Sequence, residues 1–500
     1  MRPAAFLLAL LLVASLPAAT DAVTLIYLRT TDAINIDPWQ AEDLYSNEIA
    51  SNIFEGLVRF KKNSTAIEPC LATSWSVSPD GRKWRFVLRH GVTFHDGSPF
   101  QARSVLESFR GRLGEKAKNR RLNFPAAFIT AIRSKDPYSV EFVLDRPYAP
   151  FLIALADSSS FIKPAPSGGG KLPHTPIGTG PFRFFSWTRG KSLILIRHAN
   201  YWARTGNIEK IVFKVMPDSL GRLLQIRNGS ADIIAVQSAR EFEDVSLRSD
   251  IQIIRNPPVS THYLAFNTRK EPFDRREIRA AFRHIISKEN LVRQVFQKLA
   301  EPAHSSLPPS IHPDGGSAPE DRFDLQAARA LLKKGGLENG FACTLHFPAG
   351  QEGIEEIAEL VAIYAKKAGI LIKKIKLPFA ELIEKAGRAE HDLMILGWSS
   401  NPDPDFFLYP LFTFSPGHRN RFFYENPDLI RLLDLGKVTR DASARGRIYA
   451  QALAILDEDT PWIPLFHQVR TMACRSGISG LGFNPLGQVL FRDALKESSQ

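Results

Sequence analysis

The chain has 500 residues, 64 Lys and Arg against 52 Asp and Glu for a formal charge of +12, and three cysteines. That length suits about three domains with sizeable cores, while three widely spaced cysteines, Cys70, Cys343 and Cys474, exclude a dense disulfide framework and a CxxC metal pattern. A basic balance raises nucleic acid or an anionic surface as partners. No zinc-finger spacing or RNA-binding signature supports nucleic acid, and the densest basic run, RGRLGEKAKNRR at Arg110–Arg121, reads as a solvated helix face.

In chain order, Arg2 precedes an apolar run from Ala4 to Leu16 and small residues at Ala18–Ala22. This is the pattern of a secretory signal peptide over residues 1–22, cut near Ala19 or Ala22. The run is shorter than the roughly 18 apolar residues of a membrane span. No cysteine precedes Cys70 to accept a lipid, so an exported, soluble protein without a lipid anchor is expected.

From Trp75, WSVSPDGRKWRFVLRHGVTFHDG alternates, with Trp84, Phe86 and Leu88 on one face and Lys83, Arg85 and Arg89 on the other. With turn signals at SPDG and RHG, it predicts a pair of short antiparallel strands. SVEFVLDRP repeats the pattern at Val140, Phe142 and Leu144, and KSLILIRHANYW near Lys191–Trp202 predicts a more buried strand. In FDRREIRAAFRHIISKENLVRQVF, Asp274 is a candidate cap for a helix burying Ile278, Ala281, Phe282, Ile285 and Ile286. Ser287 is a candidate cap for a second helix, which carries Leu291 and Val295. Helical text also covers IEEIAELVAIYAKKAG and SARGRIYAQALAILDED. Breakpoints fall at Pro164–Pro176, at Asn256–Ser260 and in LPPSIHPDGGSAPEDR, and the mixture predicts α/β lobes.

Local chemistry is sparse. SGGGK at Ser167–Lys171 lacks the upstream Gly and following Ser or Thr of a phosphate loop, and PIGTGPF at Pro176–Phe182 reads as a turn into a strand. His90, His95 and Asp96 raise a metal site, but HDG in a hairpin most simply makes a turn. There is no GxSxG elbow and no HExxH, so no catalytic residue, metal or cofactor is assigned and an enzyme is not expected. LGWSSNPDPDFFLYP, Leu396–Pro410, groups Asn401, Asp403 and Asp405 among prolines and aromatics. It is open to four readings: a metal site, a carboxylate pair, a pocket wall or a Pro-rich turn over a core.

Several segments together resemble the family 5 extracellular solute-binding proteins, the dipeptide-, oligopeptide- and nickel-binding components of ABC importers. They are IEPCLATSWSVSPDGRKWRFVLRHGVTFHDGSPFQA, NIDPWQ with NIFEGLVRF, IGTGPF with ANYW, YLAFNTRKEPFDRREIRAAF and TPWIPLF, in order from about Thr24 to Phe466. The resemblance implies a type II two-lobed clamshell of α/β class. Its first lobe would be discontinuous (23–57, 175–256 and 475–500), with an extra domain inserted at 58–174 and a second lobe at 257–474. Two strands crossing near these borders would form the hinge. A ligand would lie between the lobes, and a peptide would be held largely through its backbone.

The resemblance also bears on the site. The family commonly reads G-W-x-x-D-x-x-D-P here, the first Asp pairing with the ligand's ammonium. Gly397 and Trp398 are in place, but Asn401 stands where that Asp is expected and the segment is one residue shorter. An Asn cannot neutralise an ammonium, so either Asp403 takes the role through a shift at Pro402 or the ligand lacks that group; Asp403 with Pro404 also reads as a turn and cap. Trp398 is expected to flank the ligand as a flat wall, His418 and Arg419 to meet a carboxylate or lie in a surface loop, and Asn35 to face the cleft. The expected function is periplasmic capture of a peptide or peptide-like solute by a monomer. The solute would pass to a membrane permease with separate ATPase subunits. A nickel or metal chelate, another non-peptide solute, or a non-transport interaction role is the alternative.

Overall fold

Alternating burial organises the strands as the sequence predicts. Lys83–Leu88 buries Trp84, Phe86 and Leu88 and turns Lys83, Arg85 and Val87 outward. It pairs antiparallel with Ala72–Val77 on one side and Ser139–Leu144 on the other, and Ile129–Arg133 completes a four-stranded sheet. The structure is a computed structural model describing residues 22–110, 112–113, 125–165, 176–257, 259–313, 323–414 and 418–497. Residues 1–21 of the expected signal peptide, most of the basic run, SGGGK and much of the 307–322 breakpoint lie outside the described residues.

Two larger sheets form the lobes. The first has seven strands in the order Ile251–Asn256, Arg470–Arg475, Ile233–Val236, Thr24–Arg29, Lys210–Val215, Ser192–Arg197 and Phe182–Thr188. The second has six: Ala300–Pro302, Trp462–Gln468, Ser260–Phe266, Leu393–Ser399, Phe341–Pro348 and Ile370–Leu377. The chain passes between them at 257–259 and again at Val469, so two neighbouring crossings join the lobes of an α/β clamshell.

The second crossing corrects the expected border at Cys474. Arg470–Arg475 pairs with both Ile233–Val236 and Ile251–Asn256, so Arg470 to Cys474 belong to the first sheet. The four-stranded sheet lies within 58–174, and its core also takes in Phe406 from the far lobe.

Other local expectations shift for physical reasons. Ser192–Arg197 buries Leu193 and Leu195 but leaves the residues between them half-buried, because antiparallel neighbours cover its edges and only one face meets the core. The helix Arg276–Ile285 buries Ile278, Ala281, Phe282 and Ile285, yet Arg275 and not Asp274 stands at its N-cap, with no side-chain hydrogen bond. Ser287 does precede the helix Lys288–Val295, but its hydroxyl makes no capping bond. In PIGTGPF the chain crosses the end of the helix Leu44–Ile53 so closely that a Cβ at Gly178 would lie 2.1 Å from the Ile53 carbonyl oxygen. Cys70, Cys343 and Cys474 are buried free thiols.

Candidate functional site

The crossings border a cavity of about 670 Å³, walled by both lobes, by the start of the helix Leu44–Ile53 and by the loop 485–488. That volume is in the range of small-molecule sites.

Strand register builds its second-lobe wall. Ser260–Phe266 lies between Leu393–Ser399 and Trp462–Gln468, which sets His262 opposite Gly397 on one side and Phe466 on the other. The imidazole stacks on Phe466 at 4.4 Å and 6°. It also lies across Gly397, where a Cβ would come within 2.6 Å of Nε2, so glycine at this position makes room for the ring. Burial, reinforced by His467, pushes His262 down to about 4, which keeps the imidazole neutral near pH 7. Neither ring nitrogen has a partner among the described residues, and Nδ1 is buried. Trp398 follows Gly397, lines the cavity and is steadied by its indole N–H, which donates to the Phe406 carbonyl at 3.3 Å.

The first-lobe wall is polar. Tyr45 lines the cavity, and its hydroxyl lies 2.8 Å from Thr30 Oγ1 and accepts from Gln237 Nε2 at 2.8 Å. Arg470, directly after the second crossing, also lines the cavity; Nη2 donates to the Tyr27 hydroxyl at 3.3 Å and the guanidinium lies 5.2 Å from the Tyr45 ring centre. Behind it, Glu48 lies 3.9 Å from Arg470 and 3.6 Å from the buried Arg29.

Of the six residues singled out from the sequence, Trp398 lines this cavity and Asn401, Asp403, His418, Arg419 and Asn35 do not. Asp403 is an N-cap: it accepts from the Asp405 amide at 2.8 Å at the start of the helix Pro404–Phe412, while both Arg445 terminal nitrogens donate to its carboxylate at 2.7 Å. With its charge met by Arg445, it has no need of a ligand ammonium. Asp405 is buried beside Lys437 at 3.9 Å and takes a hydrogen bond from Tyr148 of the inserted segment. Burial pushes Asp405 up to about 7 although Lys437 pulls the other way.

Asn401 is wholly buried, and its side-chain amide has no hydrogen-bond partner among the described residues. Asn35 organises its own loop, accepting from the Asp37 amide at 2.9 Å and donating to Gln40 at 3.0 Å. His418 packs edge-on against Phe414, and the Arg419 amide donates to the Pro410 carbonyl.

The other motif histidines serve structure. His95 sits between the Gly178 amide and the Gly180 carbonyl, His90 stacks on Tyr138, and Asp96 accepts from Ser98 in a turn. A smaller cavity, about 80 Å³, surrounds Glu55 and Cys70, but Tyr201, Trp202 and Thr179 already donate to the Glu55 carboxylate.

Sequence reasoning missed His262, Tyr45, Gln237 and Arg470. Only the glycine of GW carried a signal for one of them, since it marks the place where another side chain crosses the strand.

Known proteins share this architecture. The chain is 28% identical over 476 residues to heme-binding protein A of Haemophilus influenzae, covering 89% of this chain and 87% of that one. It is 26% identical over 510 residues to the dipeptide-binding protein of Escherichia coli K12, covering 95% of each. The periplasmic binding protein DppA of Helicobacter pylori, solved in complex with the peptide STSA, superposes with a TM-score of 0.80 at 27% identity over 94% of this chain and 98% of that chain. Among the described residues no helix is long and apolar enough to cross a membrane. The family description "bacterial extracellular solute-binding proteins, family 5 Middle" matches residues 66–418, and the chain belongs to the family 5 bacterial extracellular solute-binding proteins.

Proposed function

We propose that this protein captures a peptide or peptide-like solute between its lobes in the periplasm and delivers it to an ABC permease driven by separate ATPase subunits, acting as a monomer after removal of its signal peptide. The observation that carries this reading is the interlobe cavity at the two crossings, whose walls change position when the lobes rotate. Relatives named as dipeptide-binding and solved with a bound peptide support the ligand class.

Within the cavity, Trp398 offers a flat apolar face and His262 a neutral ring, surfaces that accept many side chains. Polar groups on the opposite wall supply orientation. Such a division between a few fixed polar contacts and a roomy apolar remainder favours breadth over selectivity. The experiment is to purify the exported protein, denature it and identify what is released by mass spectrometry. Mixed short peptides are expected; a homogeneous sugar or metal complex would sink the peptide reading.

A further inference from the structure

The segment that carries the four-stranded sheet is tied along the chain only to the first lobe: it leaves after the helix Leu44–Ile53 and returns before the strand Phe182–Thr188. It is also bonded to that lobe. Lys163 Nζ donates to Asp37 at 2.6 Å, the Trp39 indole N–H donates to the Phe161 carbonyl at 2.8 Å, and His95 sits between Gly178 and Gly180. The segment and the first lobe therefore move as one body when the lobes rotate about the crossings.

Yet the same segment also grips the second lobe. Phe406 sits in its apolar core, the Tyr148 hydroxyl donates to Asp405, the Ala149 amide donates to the Lys437 carbonyl at 2.8 Å, and Arg440 Nη1 donates to the Ser78 and Pro79 carbonyls, each at 3.3 Å. One aromatic ring and a few hydrogen bonds make a contact that can part. Parting returns the buried Asp405 and Lys437 to water, which offsets some of the loss. Both sides of the contact continue from the cavity wall: Ser400 lines the cavity and leads to the helix Pro404–Phe412, and Asp157 lines it and closes the helix Phe151–Ala156 that follows Ala149. The Trp398 indole, on the wall, donates to the Phe406 carbonyl at 3.3 Å, so the wall is coupled to the ring that enters the segment's core.

We propose that the contact of Phe406, Lys437 and Arg440 with the inserted segment is a latch on the cleft, which parts when the cleft empties and re-forms when it fills, so that the inserted segment sets how long a solute is held. A solute that draws Trp398 toward the first lobe carries Phe406 into its socket in the same motion, because the two are hydrogen-bonded. None of Phe406, Lys437 and Arg440 lines the cavity, so the latch acts on any solute alike and adds to retention without adding to selectivity. This rests on the lobe closure of the proposed function and not on its ligand class.

The test joins the two sides of the contact in the full-length mature protein, by Pro79→Cys and Arg440→Cys at exposed positions and a short bis-maleimide; Cys70, Cys343 and Cys474 are buried and escape the reagent. Small-angle X-ray scattering compares wild-type and cross-linked protein, both stripped of solute. Wild type is expected to give the larger radius of gyration, because its lobes part. Equal radii would mean a contact that never opens and overturn the proposal, whatever the protein binds. The second readout is release of an equimolar tripeptide mixture, loaded before cross-linking and followed by mass spectrometry during buffer exchange. Cross-linked protein is expected to release it about tenfold or more slowly than wild type, and the double variant without cross-linker, which lacks the Arg440 hydrogen bonds, faster than wild type. Equal release by cross-linked and wild-type protein overturns the latch and leaves the proposed function standing. If none of the proteins takes up tripeptides, the peptide reading falls and the scattering alone decides the latch.

Discussion

Two buried ionic clusters built from the same residue types close very differently. In the Asp403 cluster both Arg445 terminal nitrogens meet one carboxylate at 2.7 Å, and the same carboxylate caps a helix. In the Arg29, Glu48 and Arg470 cluster the ion contacts lie at 3.6 and 3.9 Å, with a Glu48 oxygen and three guanidinium nitrogens left without hydrogen bonds among the described residues. The first packs against the inserted segment through Asp405 and Tyr148; the second borders the cavity. A saturated pair fixes a fold, whereas a loosely paired one leaves buried polar capacity unmet.

Acid is expected to have the largest effect on the molecule, because it acts on several groups at once. His95, His262, His391 and His467 are each pushed down to about 4, chiefly by burial. The unfolded chain takes up these protons near pH 6.5 and the folded chain resists them until about pH 4, so their contribution is fully present above pH 6.5 and shrinks as pH falls. Asp405, pushed up to about 7, works in the opposite sense: the folded state holds a proton that the unfolded state releases, so its contribution is present below pH 4 and is lost as pH rises through 7. Four groups outweigh one, and the melting temperature is expected to fall between pH 7 and pH 4. In Asp405→Asn, which lacks the opposing group, the fall is expected to be steeper. A flat profile in calorimetric scans, or a shallower one in the variant, contradicts this assignment.

Breaking the saturated cluster comes next in size. Asp403→Ala removes the cap and strands Arg445, with an expected loss of about 3–5 kcal/mol in denaturant unfolding. A loss below about 1 kcal/mol, the scale of an exposed pair, would show that the pair does little for the fold. The smallest effect is expected at the loose cluster. Glu48 is raised by burial and accepts from the Val489 amide, a bond that the isosteric amide of Glu48→Gln keeps. The same unfolding assay should register a smaller loss than Asp403→Ala, because the ion contacts at 3.6 and 3.9 Å are looser, and a cost comparable to that of Asp403→Ala would erase the contrast between the clusters.

Much of the fold is legible along the chain, because strand alternation and helix periodicity are local: Trp84, Phe86 and Leu88, and Ile278, Ala281, Phe282 and Ile285, sit where their spacing puts them. The order of matched segments supplied the two-lobed architecture. Trp398 was legible because GW stands in a continuous motif. Asp403 carried two signals, a motif carboxylate and a cap before Pro404, and only the partner 42 residues away, Arg445, decides between them. His262 meets Gly397 and Phe466 through strand register, and Arg470 meets Tyr27 and Tyr45 through a mixed sheet that the strand after the last crossing enters antiparallel to both its neighbours. Such juxtapositions arise from pairing between distant segments, which spacing in one sequence does not encode.

The most direct test of this division of labour is a pair of calorimetric binding isotherms, for Trp398→Ala and Asp403→Asn, each titrated with the solute released from the wild-type protein. Trp398→Ala is expected to weaken binding by about tenfold, the loss of one aromatic wall, with its melting temperature unchanged; Asp403→Asn is expected to bind within about twofold of wild type and to melt earlier. Unaltered affinity in Trp398→Ala together with lost affinity in Asp403→Asn would return the ligand to the acidic loop and contradict the account.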